Sequence, residues 1–335
     1  MIKSRRGKQG RLLEGSRMNP KACQFVAIVA SLLVFLDSGL CLSDNGRASL
    51  IRALRGIDLN ERLERPRNLR VVDLDQSSLA ATSMNTTEDG PAEASDGSGG
   101  GSIIGKNRLG GVDEYLFEGD INLTEEQLSA LEASLNNRTT RQKRQASKTA
   151  TLWANKKVFY YFDPSIGEPM KSLVKKALSY ISARTCLTFT ENAAAVNRIR
   201  VFSGDGCYSS VGMIGDEQDL SLADGCNTIG IIAHEFMHAL GIFHMQSRFD
   251  RDDFITVDMT NVPTENQHNY NKLTTTDSVN YTPYEYGSVM HYDAQSFATS
   301  GQSLVPKSPR YLYTLGSQQI SFYDISLINF HYKCN

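Results

Sequence analysis

Apolar positions recur at short intervals in the second half of the chain, and their spacing predicts its core elements. Six of these positions share one helical face: Met170, Leu173, Val174, Ala177, Leu178 and Ile181. They predict an amphipathic helix whose apolar face belongs to the core. The flanking segments 156–162 (KKVFYYF) and 199–202 (IRVF) are rich in aromatic and β-branched residues, which predicts strands.

A long polar stretch, residues 76–111, occupies the first half of the chain. It consists mostly of Ser, Thr, Gly and acidic residues, and its few large apolar groups cannot offset its ordering entropy, so it is predicted to be disordered. Beyond it, Thr124 and Gln127 have the spacing of a capping box. The helix that begins there would carry three leucines on one face: Leu128, Leu131 and Leu135.

The N-terminus has the pattern of a targeting segment. Residues 1–21 are rich in Lys and Arg, and an apolar run follows from Ala22 to Leu36. As a helix this run would rise about 22 Å, less than the roughly 30 Å of a bilayer core, which favours a secretory signal over a transmembrane span. We interpret residues 1–41 as a signal peptide, with an uncleaved signal-anchor or a buried helix as the alternatives.

The composition is that of a globular protein and excludes one class of partner. Of 335 residues, 40% are apolar and 21% are charged. The 35 basic and 37 acidic side chains leave a formal net charge of −2. A charge so balanced argues against nucleic acid as a partner.

A basic cluster divides the exported chain. Residues 141–144 (RQKR) hold three basic side chains in a polar context, which is typical of a processing-convertase site, although a solvated charge run is the alternative. We predict cleavage after Arg144 by such a convertase. Residues 42–144 would then be a partly disordered propeptide, and residues 145–335 a single domain of ordinary size.

Cysteines and sequons indicate the compartment. Cys23 and Cys41 would leave with the signal peptide, and four cysteines would remain: Cys186, Cys207, Cys226 and Cys334. This even count predicts two disulfides in an exported protein. Four Asn-x-Ser/Thr sequons are candidate glycosylation sites: Asn85, Asn122, Asn137 and Asn280. We therefore expect a secreted, extracellular glycoprotein, without stable membrane association unless the signal stays uncleaved.

The candidate chemistry lies in the segment HEFMHALGIFH. His234 and His238 are four residues apart, so on a helix both imidazoles leave the same face and can reach one zinc ion. Glu235 lies beside them, where it could take a proton from metal-bound water. Gly241 permits the positive φ that ends a helix, and His244 can supply a third ligand. Three nitrogen ligands and an open position indicate a catalytic zinc site.

Chance is a poor explanation for this pattern. Buried histidines usually satisfy hydrogen bonds, and a lone HExxH occurs by accident in helices. The extended pattern HExxHxxGxxH, however, is expected roughly 2 times in 100,000 chains of this composition.

These residues resemble the zinc signature of the astacin family of metzincin endopeptidases, and the likeness extends through residues 145–335. Residues 234–252 match the family pattern HExxHxxGxxHExxRxDRD at every position but one, and residues 288–292 (SVMHY) resemble its Met-turn. The resemblance implies that Met290 lies beneath the metal without binding it. It also implies that Tyr292 ligates zinc in the resting enzyme and stabilises the oxyanion during turnover.

The same resemblance implies the fold, the disulfides and a latency device. The fold would be α+β, a two-lobed catalytic domain with a twisted mixed sheet and the active-site helix over an irregular C-terminal lobe. The implied disulfide pairs are Cys186–Cys334 and Cys207–Cys226. Residues 117–120 (FEGD) resemble the family's FxGD motif, in which the aspartate takes the open zinc position. A carboxylate is a sound zinc ligand, so Asp120 is expected to keep the zymogen inactive.

Two positions depart from the family pattern. Met245 replaces the glutamate that meets the new N-terminus of the mature enzyme, and a methionine cannot accept that charge. Gln318 and Gln319 lie where the resemblance would place a basic residue near the S1′ pocket, so the sequence does not imply a preference for acidic residues at that subsite.

The sequence thus predicts a secreted zinc metalloendopeptidase that is made as a latent zymogen, binds one Zn²⁺ and hydrolyses proteins or peptides. Glu235 would act as general base and acid, and Tyr292 would help to hold the oxyanion. The alternatives are a catalytically impaired zinc-binding protein of the same fold and a membrane-anchored enzyme with the same chemistry. The sequence ends just after Cys334, so no further domain is expected downstream.

Overall fold

Helices dominate the first part of the computed structural model, and a mixed α+β domain follows. The structure describes residues 42–54, 58–67, 101–136, 150–275 and 278–334. The α-helices of these residues are α1 (Asp44–Leu54), α2 (Leu59–Arg67), α3 (Ile103–Gly110), α4 (Glu125–Asn136), α5 (Glu168–Ser182), α6 (Ile229–Ala239) and α7 (Phe322–His331). The strands are β1 (Lys157–Phe162), β2 (Thr188–Glu191), β3 (Arg198–Phe202), β4 (Cys207–Ser209), β5 (Glu217–Leu222), β6 (Ile255–Val257) and β7 (Leu304–Pro306).

The central sheet has five strands in the order β2-β1-β3-β5-β4. All neighbours pair in parallel except β4, which is antiparallel to β5 and forms an edge. The strands predicted from residues 156–162 and 199–202 are β1 and β3. The predicted amphipathic helix is α5, and its buried residues are Val174, Ala177, Leu178 and Ile181. These predictions and the α+β class with a mixed sheet are confirmed.

The C-terminal lobe is mostly irregular, as expected. Strands β6 and β7 form a two-stranded antiparallel sheet, and short 3₁₀ turns make up much of the rest. A disulfide joins Cys186 to Cys334 near the end of the chain, and a second one joins Cys207 in β4 to Cys226 just before α6.

The segment upstream of the sheet packs onto the sheet domain. In α1, Leu50 is fully buried in a cluster that also holds Phe202 and Tyr208 of the sheet domain. The Arg52 side chain of α1 pairs with Glu217 (2.5 Å) and Asp219 (3.2 Å) on β5.

Helix α3 departs from the disorder expected through residue 111. It begins after Ser102, whose hydroxyl accepts a hydrogen bond from the Gly105 amide (3.0 Å). Asn107 within it donates to the carbonyl of Cys207 (2.7 Å) and accepts from the Cys207 amide (2.7 Å). Contacts with strand β4, a hundred residues away, supply the stability that the local composition lacks.

Several predicted features lie outside the described residues: the signal peptide 1–41, Arg144, Asn85 and Asn137. Within the described part of the chain, no helix is long and apolar enough to cross a membrane.

Asp113 offers a test of how the upstream segment is packed. It lies in the turn Asp113–Tyr115 between α3 and the FEGD segment and is only 8% exposed. Burial, helped by the charge of Glu114, raises the pKa of Asp113 from 3.8 to about 6. Above that pH the folded protein holds a buried charge that the unfolded chain would leave in water.

We therefore expect Asp113→Asn to stabilise the protein at pH 7.5 by up to about 3 kcal/mol. Because the folded pKa of Asp113 is raised, its contribution to the free energy of unfolding is fully present below about pH 4. That contribution is lost as pH rises through about 6. The gain should therefore be small at pH 4. Urea unfolding at both pH values measures it, with exposed Asp253→Asn, whose charge is not among the causes of the Asp113 shift, as the control. An equal gain at both pH values would contradict the account.

Candidate active site

Helix α6 carries the first part of the HExxHxxGxxH segment. It begins after Thr228, whose hydroxyl accepts a hydrogen bond from the Ile231 amide (3.2 Å), and every residue from Gly230 to Ala239 is buried. The chain turns at Gly241, where φ is +97°. A Cβ atom there would lie 2.9 Å from Nε2 of His331, so both the conformation and the close approach require glycine.

Two aromatic side chains cap the end of α6. The Trp153 indole N–H donates to the carbonyl of Ala239 (2.8 Å), and the Tyr332 hydroxyl donates to the carbonyl of Leu240 (3.2 Å). They satisfy carbonyls that a helix end leaves without partners. Sequence reasoning gave these two residues no such role, and their only local signal is an apolar ring with one polar tip.

Three imidazoles and one carboxylate meet beside α6. Nε2 of His234 lies 2.9 Å from Nε2 of His238 and 3.3 Å from Nε2 of His244. Oδ2 of Asp120 lies 3.2 Å from Nε2 of His234 and 3.1 Å from Nε2 of His244. All four side chains are buried, and their ligand atoms lie within 4.8 Å of one another.

The hydrogen bonds of the three Nδ1 atoms indicate whether the three Nε2 atoms can bind a metal. Each Nδ1 faces an acceptor: His234 the carbonyl of Val289 (2.6 Å), His238 the carbonyl of Ile242 (2.8 Å) and His244 the carboxylate of Glu118 (2.6 Å). Because an acceptor requires the proton on Nδ1, each Nε2 turns a lone pair inward. Three lone pairs and a carboxylate oxygen around one point match the donor set of a tetrahedral zinc ion.

Burial and neighbouring charges shift the pKa values of the two carboxylates, Asp120 and Glu235. Burial raises the pKa of Asp120, but the facing His244 and His234 outweigh burial and hold that pKa below its ordinary value. Burial raises the pKa of Glu235 well above its ordinary value, and the charge of Asp120 adds to the rise. Both Glu235 oxygens are buried and find no hydrogen-bond partner among the described residues, which suits a group that handles protons at the metal.

The segment of residues 288–292 passes beneath this cluster and is fixed by Asp324. The Asp324 carboxylate accepts hydrogen bonds from the Ser288 hydroxyl and from the Val289 amide (3.1 Å). It thereby holds the carbonyl that orients His234. Met290 is fully buried.

Tyr292 lies at the edge of the cluster. Its ring centroid is 4.8 Å from that of His244, and its hydroxyl donates to the backbone carbonyl of Glu118. The hydroxyl is thus held by the upstream segment, close to the metal ligands.

A cleft of about 510 Å³ adjoins His234 and Asp120. Its lining includes Ile231, Val289 and Gln318, so one of the two glutamines singled out in the sequence lies at the cleft. The cleft is large enough to take a substrate side chain.

The other departure, Met245, is buried in an apolar cluster that includes Tyr284 and Tyr292. Its amide donates to the carbonyl of Met290 (2.8 Å), and its sulfur lies 3.7 Å from an Arg248 nitrogen. A packed thioether occupies the position of the family's glutamate.

Two predicted sequons lie within the described residues. Asn122 is 2% exposed, and its backbone amide donates to the carbonyl of Ser209 (2.8 Å), which argues against a glycan there. The side-chain nitrogen of Asn280 donates to Asp250 (2.9 Å), so a glycan on Asn280 would need that bond to break.

A helix that directs two imidazoles at one metal position and carries a carboxylate beside them, followed by a third histidine after a glycine turn, is characteristic of zinc metallopeptidases. The model of the astacin peptidase family matches residues 145–333. The chain belongs to the astacin family, as the sequence predicted.

Known relatives agree with this assignment. Zinc metalloproteinase nas-32 of Caenorhabditis elegans is 45% identical over 231 residues, which cover 68% of this chain and 35% of the relative. Zinc metalloproteinase nas-17 of the same organism is 40% identical over 242 residues, 70% of this chain and 54% of the relative. The chain therefore matches about a third to a half of the length of these relatives.

A solved structure has the same fold. The hatching enzyme high choriolytic enzyme 1 of medaka, Oryzias latipes, is a zinc protease with 31% sequence identity to this chain and a TM-score of 0.50. The match covers 56% of this chain and 94% of that structure.

Replacing Asp324 tests whether this residue supports the metal site. In Asp324→Ala, the Ser288 hydroxyl and the Val289 amide lose a buried acceptor, so the free energy of unfolding should fall by about 2–4 kcal/mol. Because the Val289 carbonyl is then less well fixed behind His234, zinc affinity should fall as well. Urea unfolding and zinc titration against a chelator measure the two effects.

The matched control is exposed Asp253→Ala, which should change neither quantity. Wild-type zinc affinity in a destabilised Asp324→Ala protein would separate Asp324 from the metal site and contradict the prediction.

Proposed function

We propose that this chain is the latent form of a secreted zinc metalloendopeptidase that hydrolyses peptide bonds in proteins or peptides. The observation that carries the proposal is the buried convergence of three Nε2 lone pairs next to the carboxylate of Glu235, which has no hydrogen-bond partner among the described residues. His234, His238 and His244 are the proposed zinc ligands. A zinc site with a purely structural role would need no carboxylate left without a partner next to it.

The proposed mechanism divides the chemistry between the metal and the chain. Bound zinc would supply an acidified water and polarise the scissile carbonyl. Glu235 would accept the proton of the attacking water and later return it to the leaving amine. Tyr292 would be a further zinc ligand in the resting mature enzyme, and its hydroxyl, which bonds the Glu118 carbonyl in this structure, could donate to the oxyanion once the upstream segment has left.

Latency rests on two contacts of the FEGD segment. Asp120 lies against His234 and His244, where its carboxylate would act as a metal ligand and exclude water. The backbone of the same segment pairs in parallel with edge strand β4: the Ser209 amide donates to the carbonyl of Asp120 (3.1 Å). A substrate backbone could not pair with this strand edge while the FEGD segment occupies it.

Activation is proposed to occur by convertase cleavage after Arg144, which separates the propeptide (42–144) from the catalytic domain (145–335). The two disulfides support an extracellular location, since such bonds persist in oxidising compartments. We keep signal cleavage after residues 1–41 and glycosylation at Asn85 or Asn137 as part of this proposal, together with the absence of stable membrane association.

A catalytically impaired zinc-binding protein of the same fold is the alternative. Met245 favours it, because a buried thioether cannot pair with the new N-terminal amine. Glu235 and Tyr292 favour the enzyme, because binding zinc alone requires neither.

The Glu235→Ala variant distinguishes the enzyme from the impaired zinc-binding protein. After convertase processing, the wild type should cut an unbiased peptide library in a chelator-sensitive manner. The variant should keep its fold and zinc content but lose turnover by several orders of magnitude, since it has no proton acceptor at the water. Peptide mass spectrometry measures the cuts and metal analysis the zinc.

Wild-type turnover in Glu235→Ala would overturn the mechanism. A folded, zinc-loaded and correctly processed wild type that cuts nothing would favour the impaired protein.

Asp120→Ala tests latency. With Arg144→Gln in both proteins to prevent processing, the Asp120→Ala zymogen should cleave a peptide substrate measurably, while the parent zymogen should not. The physical reason is that the fourth position at the metal becomes available to water. An equally inert Asp120→Ala zymogen, with its zinc retained, would count against Asp120 as the blocking group.

A further inference from the structure

The three proposed zinc ligands are not oriented by the same part of the chain. The carbonyls of Val289 and Ile242 accept from Nδ1 of His234 and His238, and both carbonyls belong to the catalytic domain. The partner of His244 is Glu118, 126 residues upstream in the proposed propeptide (Oε2 to Nδ1, 2.6 Å). Processing would therefore remove the acceptor that orients one ligand and leave the other two acceptors in place.

Glu118 is held in position from several sides. Its backbone has φ +50°, a conformation that is costly for a residue with a side chain. Its carbonyl accepts from the Tyr292 hydroxyl, and the flanking residues Phe117 and Ile121 exchange two backbone hydrogen bonds (2.9 and 3.0 Å). This tight turn brings Glu118 to Nδ1 of His244 and Asp120 to the inward-facing Nε2 atoms of the histidine cluster.

The carboxylate of Glu118 is buried and therefore needs a partner. The side chain is 1% exposed, and its Oε1 has no hydrogen-bond partner among the described residues. A buried carboxylate is costly unless it is paired. Its close bonding partner is the imidazole of His244, and a metal on Nε2 would strengthen the Nδ1–H donor.

We propose that Glu118 is a positioning residue that the propeptide supplies to the zinc site. It fixes the tautomer and ring orientation of His244, so the propeptide contributes both a direct metal ligand, Asp120, and the orienting acceptor of another ligand. The zymogen consequently holds zinc more tightly than the three histidines of the mature domain can alone. This inference rests on the proposed zinc peptidase.

The test measures zinc release from the uncleaved full chain. Zymogens that carry Arg144→Gln, with length checked by intact mass, are loaded with zinc and mixed with a chromophoric chelator. Loss of an orienting acceptor typically lowers metal affinity about 10- to 100-fold, so Glu118→Ala should release zinc faster by about that factor. Glu118→Gln keeps the shape and a neutral acceptor, so its release should be intermediate.

Glu114→Gln is the matched control, because this exposed glutamate lies four residues upstream in the same segment; it should release zinc at the wild-type rate. Wild-type release rates in both Glu118 variants would overturn the inference. If Glu118→Ala does not fold, the isosteric Glu118→Gln variant decides alone.

A second comparison separates orientation of His244 from general support of the FEGD turn. In an Asp120→Ala background, Glu118→Gln should still accelerate zinc release by the factor that it shows alone. No further acceleration would mean that Glu118 acts only by holding Asp120, which would overturn the inference. A folded wild type that binds no zinc would overturn the peptidase as well, so the two failures are distinguishable.

Discussion

The active site depends on one interaction, the convergence of imidazole lone pairs at a buried point. Nε2 of His234 lies 2.9 Å from that of His238 and 3.3 Å from that of His244. Acceptors packed so closely in a low-dielectric interior repel one another unless a cation lies among them. The surrounding structure can therefore be understood as a set of constraints that keep three rings turned inward until zinc joins them.

Those constraints come from distant parts of the chain. Gly241 ends α6 sharply enough for His244 to return to the metal, and Trp153 satisfies a carbonyl at that helix end. Asp324, on α7, fixes Ser288 and Val289, and the carbonyl of Val289 orients His234. The hydrogen bonds among these constraints replace contacts with water, and together with the turn at Gly241 they preorganise the ligands before metal binding.

In the proposed latent form, the FEGD segment adds further contacts to this cluster. Asp120 faces the metal ligands, and its backbone carbonyl also pairs with Ser209 of the sheet edge. Tyr292, the proposed oxyanion donor, is bonded to the carbonyl of Glu118. One short turn thus engages the metal position, the strand edge and the oxyanion donor together, so its departure would change all three at once.

The sequence by itself determined the zinc helix, the helix α5 and the strands β1 and β3, because helical and strand periods are local properties that a single segment displays. The family followed from the resemblance of residues 234–252 and 288–292 to its motifs. The sequence did not predict helix α3, whose Asn107 bonds Cys207 a hundred residues away. Nor did it give roles to Glu118 or Asp324, although each stood in a recognisable pattern, FEGD and a capping box. Their partners are decided by the path of the chain in three dimensions, because a hydrogen bond between distant residues leaves no period in the sequence.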